Sequence, residues 1–461
     1  MNQSSAVATS QWPQWRILPV VAPARVTRLP LFIVFGYLLA TFAIFLLWPI
    51  NWPIYYLSDW LRLIGYVGLC FAIVAAAMLW GSAGATRLVA PLRHLTLLLV
   101  AGAAAAALLL VPSSFSYTGR GPWEVMDALR DQGAAYHQFQ LQLYSTEGQR
   151  DLIVALRTLA APLTFAVLPL GIVHWRTMGI TGRSALVVAI LASTVFSIMR
   201  GTDKEFADLF IIGSAAAFVA YGRQRALGGA RLHAVRRLWR PVLVAIVFVY
   251  FAQGLSIDRK GERNGGYASA TVICANDSTI CADLDNRWIS WLPLPQRFGI
   301  TSFVLSTTSG YFGLELALEK PFQSAYGLGH SPAVLSVYEA LTGDQTPHMR
   351  TYTYRNGDDH WSEDYYWSTL MTWIANDVGF IGALPVLGAI AFLWALWWRE
   401  AAAGMSDPAA VLFALSTMMM FYFPANNEVF ASYEGYTVFA VWLVVWLWHR
   451  RSRAVSALAP G

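Results

Sequence analysis

The sequence predicts an all-α polytopic membrane protein, with about ten transmembrane helices and a large extracytoplasmic loop domain carrying amphipathic helices. Three observations lead there. Hydrophobic residues fill 56% of the 461 positions and charged residues only 13%, where an ordinary globular chain carries roughly 25% charged. Mean hydropathy is +0.47. Twenty Trp and twenty Tyr suit two membrane interfaces, where amphipathic rings sit at headgroup depth. This composition excludes a disordered chain, a coiled coil and a soluble nucleic-acid binder.

Apolar runs near the length of a membrane-spanning helix, roughly 17–25 residues, place the elements in order. They lie near 31–49, 63–80, 95–112, 158–175, 184–199, 206–221, 241–257, 378–398, 409–424 and 436–448. The first is too long for a cleaved signal peptide, and Arg16, Arg25 and Arg28 precede it with no small-residue cleavage site after it. Neither an internal repeat nor a low-complexity segment is present. The chain divides into an N-terminal membrane region with seven spans (1–257), an extracytoplasmic domain (258–377) and a C-terminal membrane region with three spans (378–461).

Charge orients these spans. With the N-terminus cytoplasmic, the inside segments hold 17 of the 32 Lys and Arg, and only Glu400 and Asp407 of the 27 acids. That matches the positive-inside rule and puts both termini in the cytoplasm. The cluster Arg223, Arg225, Arg231, Arg236, Arg237 and Arg240 reads as a topology signal, so the net charge of +5 carries no nucleic-acid message. Cys274 and Cys281 fall outside, with six residues between them, and are expected to form a disulfide. Cys70 lies in a span and reads as packed. No Cys/His spacing resembles a zinc site, and no metal or cofactor is expected.

Between the fifth and sixth runs lies RGTDKEFAD, Arg200 to Asp208. Each flanking run of about 16 residues covers about 24 Å, short of the roughly 30 Å hydrocarbon core, so these charges are expected at the outer membrane surface or just below it. Thr202 with Glu205 matches a capping box, and Asp203 suits the positive end of the following helix. Lys204 opposes that dipole, and Asp208 one turn on could pair with it. Arg200 and Lys204 beside a helix N-terminus are candidates for an anion site.

The large outer segment opens with charged, cysteine-bearing sequence. Residues 301–343 read as two amphipathic helices lying on or dipping into the outer leaflet, broken at Pro321 and at the Gly327–Gly329 turn. Glu315 and Glu319 stand one turn apart. His330 is either a helix-start residue bonded locally or a general base at a loop apex. MRTYTYRNGDDHWSEDYYW, Met349 to Trp367, packs acids, His360, Arg350, Arg355 and aromatics together. Aromatic faces pack on sugar C–H faces while carboxylates and guanidinium groups bond hydroxyls, so Tyr311, Tyr352, Tyr354 and Trp361 are candidate sugar-binding residues. The same stretch also reads as a solvated loop tip.

Three places, RGTDKEFAD, SGYFGLELALEKPFQSAYGLGHS (309–331) and WSTLMTWIANDVGFIGAL (367–384), resemble bacterial oligosaccharide repeat-unit polymerases, the O-antigen polymerase (Wzy-type) group. More distantly they resemble O-antigen ligases. In ligases a His followed by Asn, Ser or Gln, then a Gly, is typical of the outer loop; His330-Ser331 comes closest, with Leu341 at the Gly position and Gly343 two residues later. The resemblance implies a metal-independent glycosyltransferase of the bacterial inner membrane, working at its outer face on oligosaccharides linked to undecaprenyl diphosphate. It also implies a chain-length regulator and a flippase as partners. The leaving diphosphate needs cations, for which Arg200, Lys204, Arg350 and Arg355 are the candidates. The acceptor hydroxyl needs a base, for which His330, Asp359, His360, Glu319 and Asp203 are the candidates. No Gly-rich phosphate loop is present, and the formal DxD match Asp283-Leu284-Asp285 reads as chance. The competing readings are an O-antigen ligase or another polyprenyl-linked sugar transferase, a polysaccharide or lipid transporter, and a non-catalytic membrane component.

Overall fold

In the computed structural model, the described residues are 19–20, 24–88, 92–145, 151–226, 272–274 and 280–458. The expected span 241–257 and the arginines from 231 to 240 lie outside them. Helices α1 (Ala24–Leu47), α2 (Leu57–Ser82), α3 (Leu95–Thr118), α4 (Val125–Arg130), α5 (Gln132–Ser145), α6 (Asp151–Val173), α7 (Ile180–Arg200) and α8 (Lys204–Ala226) build the N-terminal region. After a small β-hairpin come α9 (Leu294–Thr308), α10 (Gly310–Glu319), α11 (Pro332–Thr342) and the short turns α12 (Thr346–Met349) and α13 (Tyr352–Arg355). The chain ends with α14 (Leu370–Ala402), α15 (Asp407–Tyr422), the one-turn α16 (Glu428–Ala431) and α17 (Tyr433–Leu458).

Among the described residues, seven helices are long and apolar enough to cross a membrane: α1 from Arg28 onward, α2, α3, α6, α7, α8 and α14. The protein is therefore all-α and of multi-pass membrane type. The runs near 409–424 and 436–448 are also helical, as the 16-residue α15 and the 26-residue α17. One expectation needs correction. α7 and α8 have 21 and 23 residues, about 31 and 34 Å at the helical rise. They are full-length helices, because Arg200 and Lys204 belong to their ends instead of interrupting them.

The bundle has two ends. One carries the turn between α7 and α8, the loop after α15, and everything from 280 to 369. The other carries the links after α2, α6 and α14. There His174 Nε2 meets Asp407 Oδ1 at 2.8 Å, Arg223 Nη2 donates to the same oxygen at 3.0 Å, and Leu92 N–H donates to Asp407 Oδ2 at 2.9 Å. Arg223, expected as a loop charge, is thus buried and paired, tying α6, α8 and α15 together.

Within 301–343 the two helices differ: α11 buries only Ala333 and Leu335, whereas α10 is packed into the bundle. Tyr311, Phe312, Leu314, Glu315 and Ala317 of α10 are all buried, and the Tyr311 ring packs 5.1 Å from Phe42 and 5.4 Å from Phe45 of α1. The helix ends at Glu319 ahead of Pro321, as a proline break requires. The hairpin pairs Val272–Cys274 antiparallel with Cys281–Asp283, with Cys274 directly opposite Cys281, and these two form the disulfide. Asn51 N–H donates to Cys281 O, docking the hairpin on the link between α1 and α2. Cys70 is a buried free thiol.

Candidate functional site

A cavity of about 440 Å³ opens between α3, α6, α7, α8, α15 and α17, within the usual range for small-molecule sites, roughly 300–1,000 Å³. Arg157, Arg200, Lys204, Glu205, Asp208, Glu428 and Glu434 crowd its end nearest the α7–α8 turn. Leu109, Leu168, Ile212, Leu415 and Met418 line it further down. From Lys204 to Ile212 the wall runs about 12 Å into the bundle. The space is ionic at its mouth and apolar within.

Each cation has a carboxylate. Arg200 Nη1 donates to Glu205 Oε1, Lys204 pairs with Glu428, and Arg157 Nε donates to Glu434 Oε1 at 3.1 Å. The Phe196 ring lies under both guanidinium groups, 4.7 Å from Arg157 and 5.2 Å from Arg200, and Phe139 lies 4.6 Å from Arg200. Such cation–π contacts hold the planar groups where water is scarce. Arg200 Nε is buried without a hydrogen-bond partner. The Lys204 side chain keeps 46% of its surface accessible, and the residue lines the cavity.

Two local expectations change. Lys204 makes its close ion pair with Glu428, which arrives from α16, and Asp208 accepts from Tyr422 O–H at 3.2 Å. Thr202 O–H donates to Glu205 Oε2 at 2.9 Å, so this pair links side chains, whereas a capping box bonds backbone N–H groups. Asp203 precedes α8, and its carbonyl accepts the Ala207 N–H.

His330 is bonded far from its own turn. Its Nδ1 lies 3.0 Å from Asp377 Oδ2, and the same carboxylate accepts the N–H of His330 and of Gly329, each at 2.8 Å. The neighbouring Asn376 donates to Gly329 O at 2.9 Å. Gly329 is needed for this approach, since a Cβ there would lie 2.7 Å from both Ala325 Cβ and Asn376 Cβ. Asp377 sits just before Gly379, whose φ of 69° breaks α14. That left-handed backbone suits glycine. With Nδ1 held by a carboxylate, Nε2 is the nitrogen left to accept a proton, the arrangement a general base requires. Among the described residues Nε2 makes no hydrogen bond. The ring packs on Phe430 at 5.8 Å and Tyr436 at 6.4 Å.

The segment 427–436 joins base and cavity. Asn427 Nδ2 donates to His330 O, and Ser331 O–H donates to Phe430 O at 2.6 Å. Glu428, Ser432, Glu434 and Gly435 of the same segment line the cavity.

The remaining sequence-derived residues stand elsewhere. Glu319 pairs with Arg62 at 2.8 Å, and Asp359 pairs with Lys320. His360 is exposed on a turn at φ 59°. Arg350 stacks on Tyr326 at 4.8 Å, and Arg355 donates to Pro321 O at 3.0 Å. None of these five lines the cavity. Tyr311, Tyr352 and Trp361 are at most 2% exposed, so they serve as core residues and present no ring face to a sugar. Tyr354 is 45% exposed and packs against the His348 ring at 5.2 Å. Asp59, Glu315 and Glu319 bring carboxylate oxygens within 4.8 Å of one another, with the Arg62 guanidinium among them at 3.6, 3.1 and 2.8 Å. Asp285 of the DxD match pairs with Arg297 at 2.9 Å.

No protein-family model, curated protein or solved structure matches the chain. Function must therefore be argued from the cavity and the dyad. Sequence reasoning placed Arg200, Lys204 and His330 but missed Arg157, Asp377, Glu428 and Glu434. Arg157 and Glu434 each sit at the start of an apolar run, where a charge reads as a helix end. The Asp377 signal was its place in WIANDVGF, where an acid follows three apolar residues and an Asn.

Proposed function

We propose that this chain is a glycosyltransferase of the bacterial inner membrane. It polymerises oligosaccharide repeat units carried on undecaprenyl diphosphate into a surface polysaccharide, without a metal, at the periplasmic face. The observation that carries this reading is the cavity. Its mouth holds three cations and its depth is apolar, which fits a diphosphate headgroup with the start of a polyprenyl chain. Charge develops on the leaving diphosphate during transfer, and preorganised cations in a partly dry site stabilise it. The His330–Asp377 dyad supplies a base for the acceptor hydroxyl, and the 427–436 segment connects it to residues that line the cavity. In this arrangement both termini are cytoplasmic, ten spans cross the bilayer, and 258–377 forms the outer domain.

The test is genetic and chemical. Removal of the gene from its host should leave single repeat units on the carrier lipid, and reintroduction should restore a ladder of chain lengths. A ligase would instead leave full-length polymer on the carrier lipid. The four cavity carboxylates favour a second reading, a carrier for a cationic solute. That reading predicts uptake of a cation into vesicles and no change in lipid-linked saccharide.

A further inference from the structure

Three cation–carboxylate pairs at the cavity mouth pose a physical problem for anion binding. Arg157, Arg200 and Lys204 are already bonded to Glu434, Glu205 and Glu428. An incoming diphosphate would meet these carboxylates beside the cations, and like charges brought together in a desolvated site repel. One carboxylate has to move. Glu205 is held by Arg200 and by Thr202 on its own turn. Glu434 lies on α17 and Asp208 on α8, both in long helices. Glu428 differs. It sits on α16, a helix of only four residues that follows a loop and is separated from α17 by Ser432. Its partner Lys204 is the cavity cation with the largest accessible surface.

We infer that Glu428 is an exchangeable counter-ion of Lys204. It occupies the diphosphate position in the empty site and is displaced when the diphosphate binds. The assignment rests on the diphosphate reading above and adds a residue that sets affinity. In the empty protein Glu428 neutralises the ammonium and keeps it aimed into the cavity. On binding, the diphosphate oxygen replaces the Glu428 oxygen on Lys204 Nζ. Because Asn427 holds His330 O, and Phe430 O accepts from Ser331, a shift of α16 reaches the base. Filling of the anion site is thereby linked to the position of His330.

The experiment measures inorganic pyrophosphate binding to the purified full chain in detergent by titration calorimetry. Wild type, Glu428→Gln, Lys204→Met and the Lys204→Met/Glu428→Gln double variant are compared. Glu428→Gln should tighten binding at least about tenfold where Lys204 is present, and by less than about twofold in the Lys204→Met background. Equal tightening in both backgrounds would mean a general charge effect and would overturn the exchange. So would no tightening in either. If Lys204→Met does not weaken binding relative to wild type, or none of the four proteins binds, the diphosphate reading itself fails. Should Glu428→Gln not fold, Glu428→Asp keeps the charge on a shorter arm. It should also tighten binding, and unchanged affinity there would overturn the exchange.

Discussion

Replacing Asp377 by Asn tests the dyad, because it keeps the volume and removes the charge. The Asp377 carboxylate accepts three hydrogen bonds, at 2.8, 2.8 and 3.0 Å. An amide has one oxygen, so at least one of these acceptors becomes a donor facing a donor. Each bond to a charged acceptor contributes about 1.5–3 kcal/mol, and the loss falls on the turn that aims the imidazole. A positioned base contributes about 10²–10⁴ in rate. Asp377→Asn should therefore slow transfer about 10²–10³-fold, and His330→Ala at least as much. The two residues act as one unit, so the double variant should be no slower than His330→Ala alone. The assay is transfer from purified lipid-linked oligosaccharide in detergent, with thermal unfolding recorded for each variant. A folded Asp377→Asn protein within twofold of wild type would refute the dyad, as would losses that multiply in the double variant.

Other outcomes follow from the same geometry. Arg200→Ala should cost about 10²–10³ in transfer rate with normal protein level, and Arg200→Lys should recover only part, since an ammonium cannot match a planar fork on phosphate; the readout is accumulation of single repeat units. Breaking the disulfide with Cys274→Ser and Cys281→Ser should lower stability by about 2–3 kcal/mol, seen in thermal unfolding, while transfer stays within twofold. Burial pushes the Glu315 carboxyl up to about 7, with Glu319 adding to the rise and Arg62 opposing it. A raised acid binds more protons folded than unfolded. Its stabilising contribution is thus complete below the unfolded value near 4.5 and is lost as pH climbs through about 7. The His348 imidazole is raised by its hydrogen bond to Glu363, with burial opposing and Glu339 adding, so its contribution also fades on alkalinisation. The unfolding midpoint should fall from pH 5 to pH 8, and Glu315→Gln with His348→Gln should flatten that slope.

The membrane helices were legible because lipid demands long apolar runs, and those at 31–49, 63–80 and 378–398 fall inside α1, α2 and α14 with at most a few residues of overhang. Helix ends were not, because charged first and last turns such as Asp151 to Arg157 and Lys204 to Asp208 continue a helix that hydropathy stops counting. In 301–343 the break was legible, since α10 ends at Glu319 ahead of Pro321 and α11 begins at Pro332. The burial of α10 was not, because it depends on Gly310 and Gly313 packing closely against Pro424 O and Trp361. Sites built by tertiary contact left the weakest trace. Asp377 is 47 residues from His330, and Glu428 approaches Lys204 only because α16 folds back over the start of α8.

Photolabelling measures whether a polyprenyl diphosphate occupies the cavity. A polyprenyl diphosphate with a photoreactive group on its second isoprene unit is irradiated with the purified chain, and the labelled peptides are read by mass spectrometry. Label should fall on Leu109, Leu168 or Ile212, be suppressed by excess inorganic pyrophosphate and be weakened by Arg200→Ala. Label confined to outward-facing residues such as Leu108 or Leu159, unaffected by pyrophosphate, would contradict it.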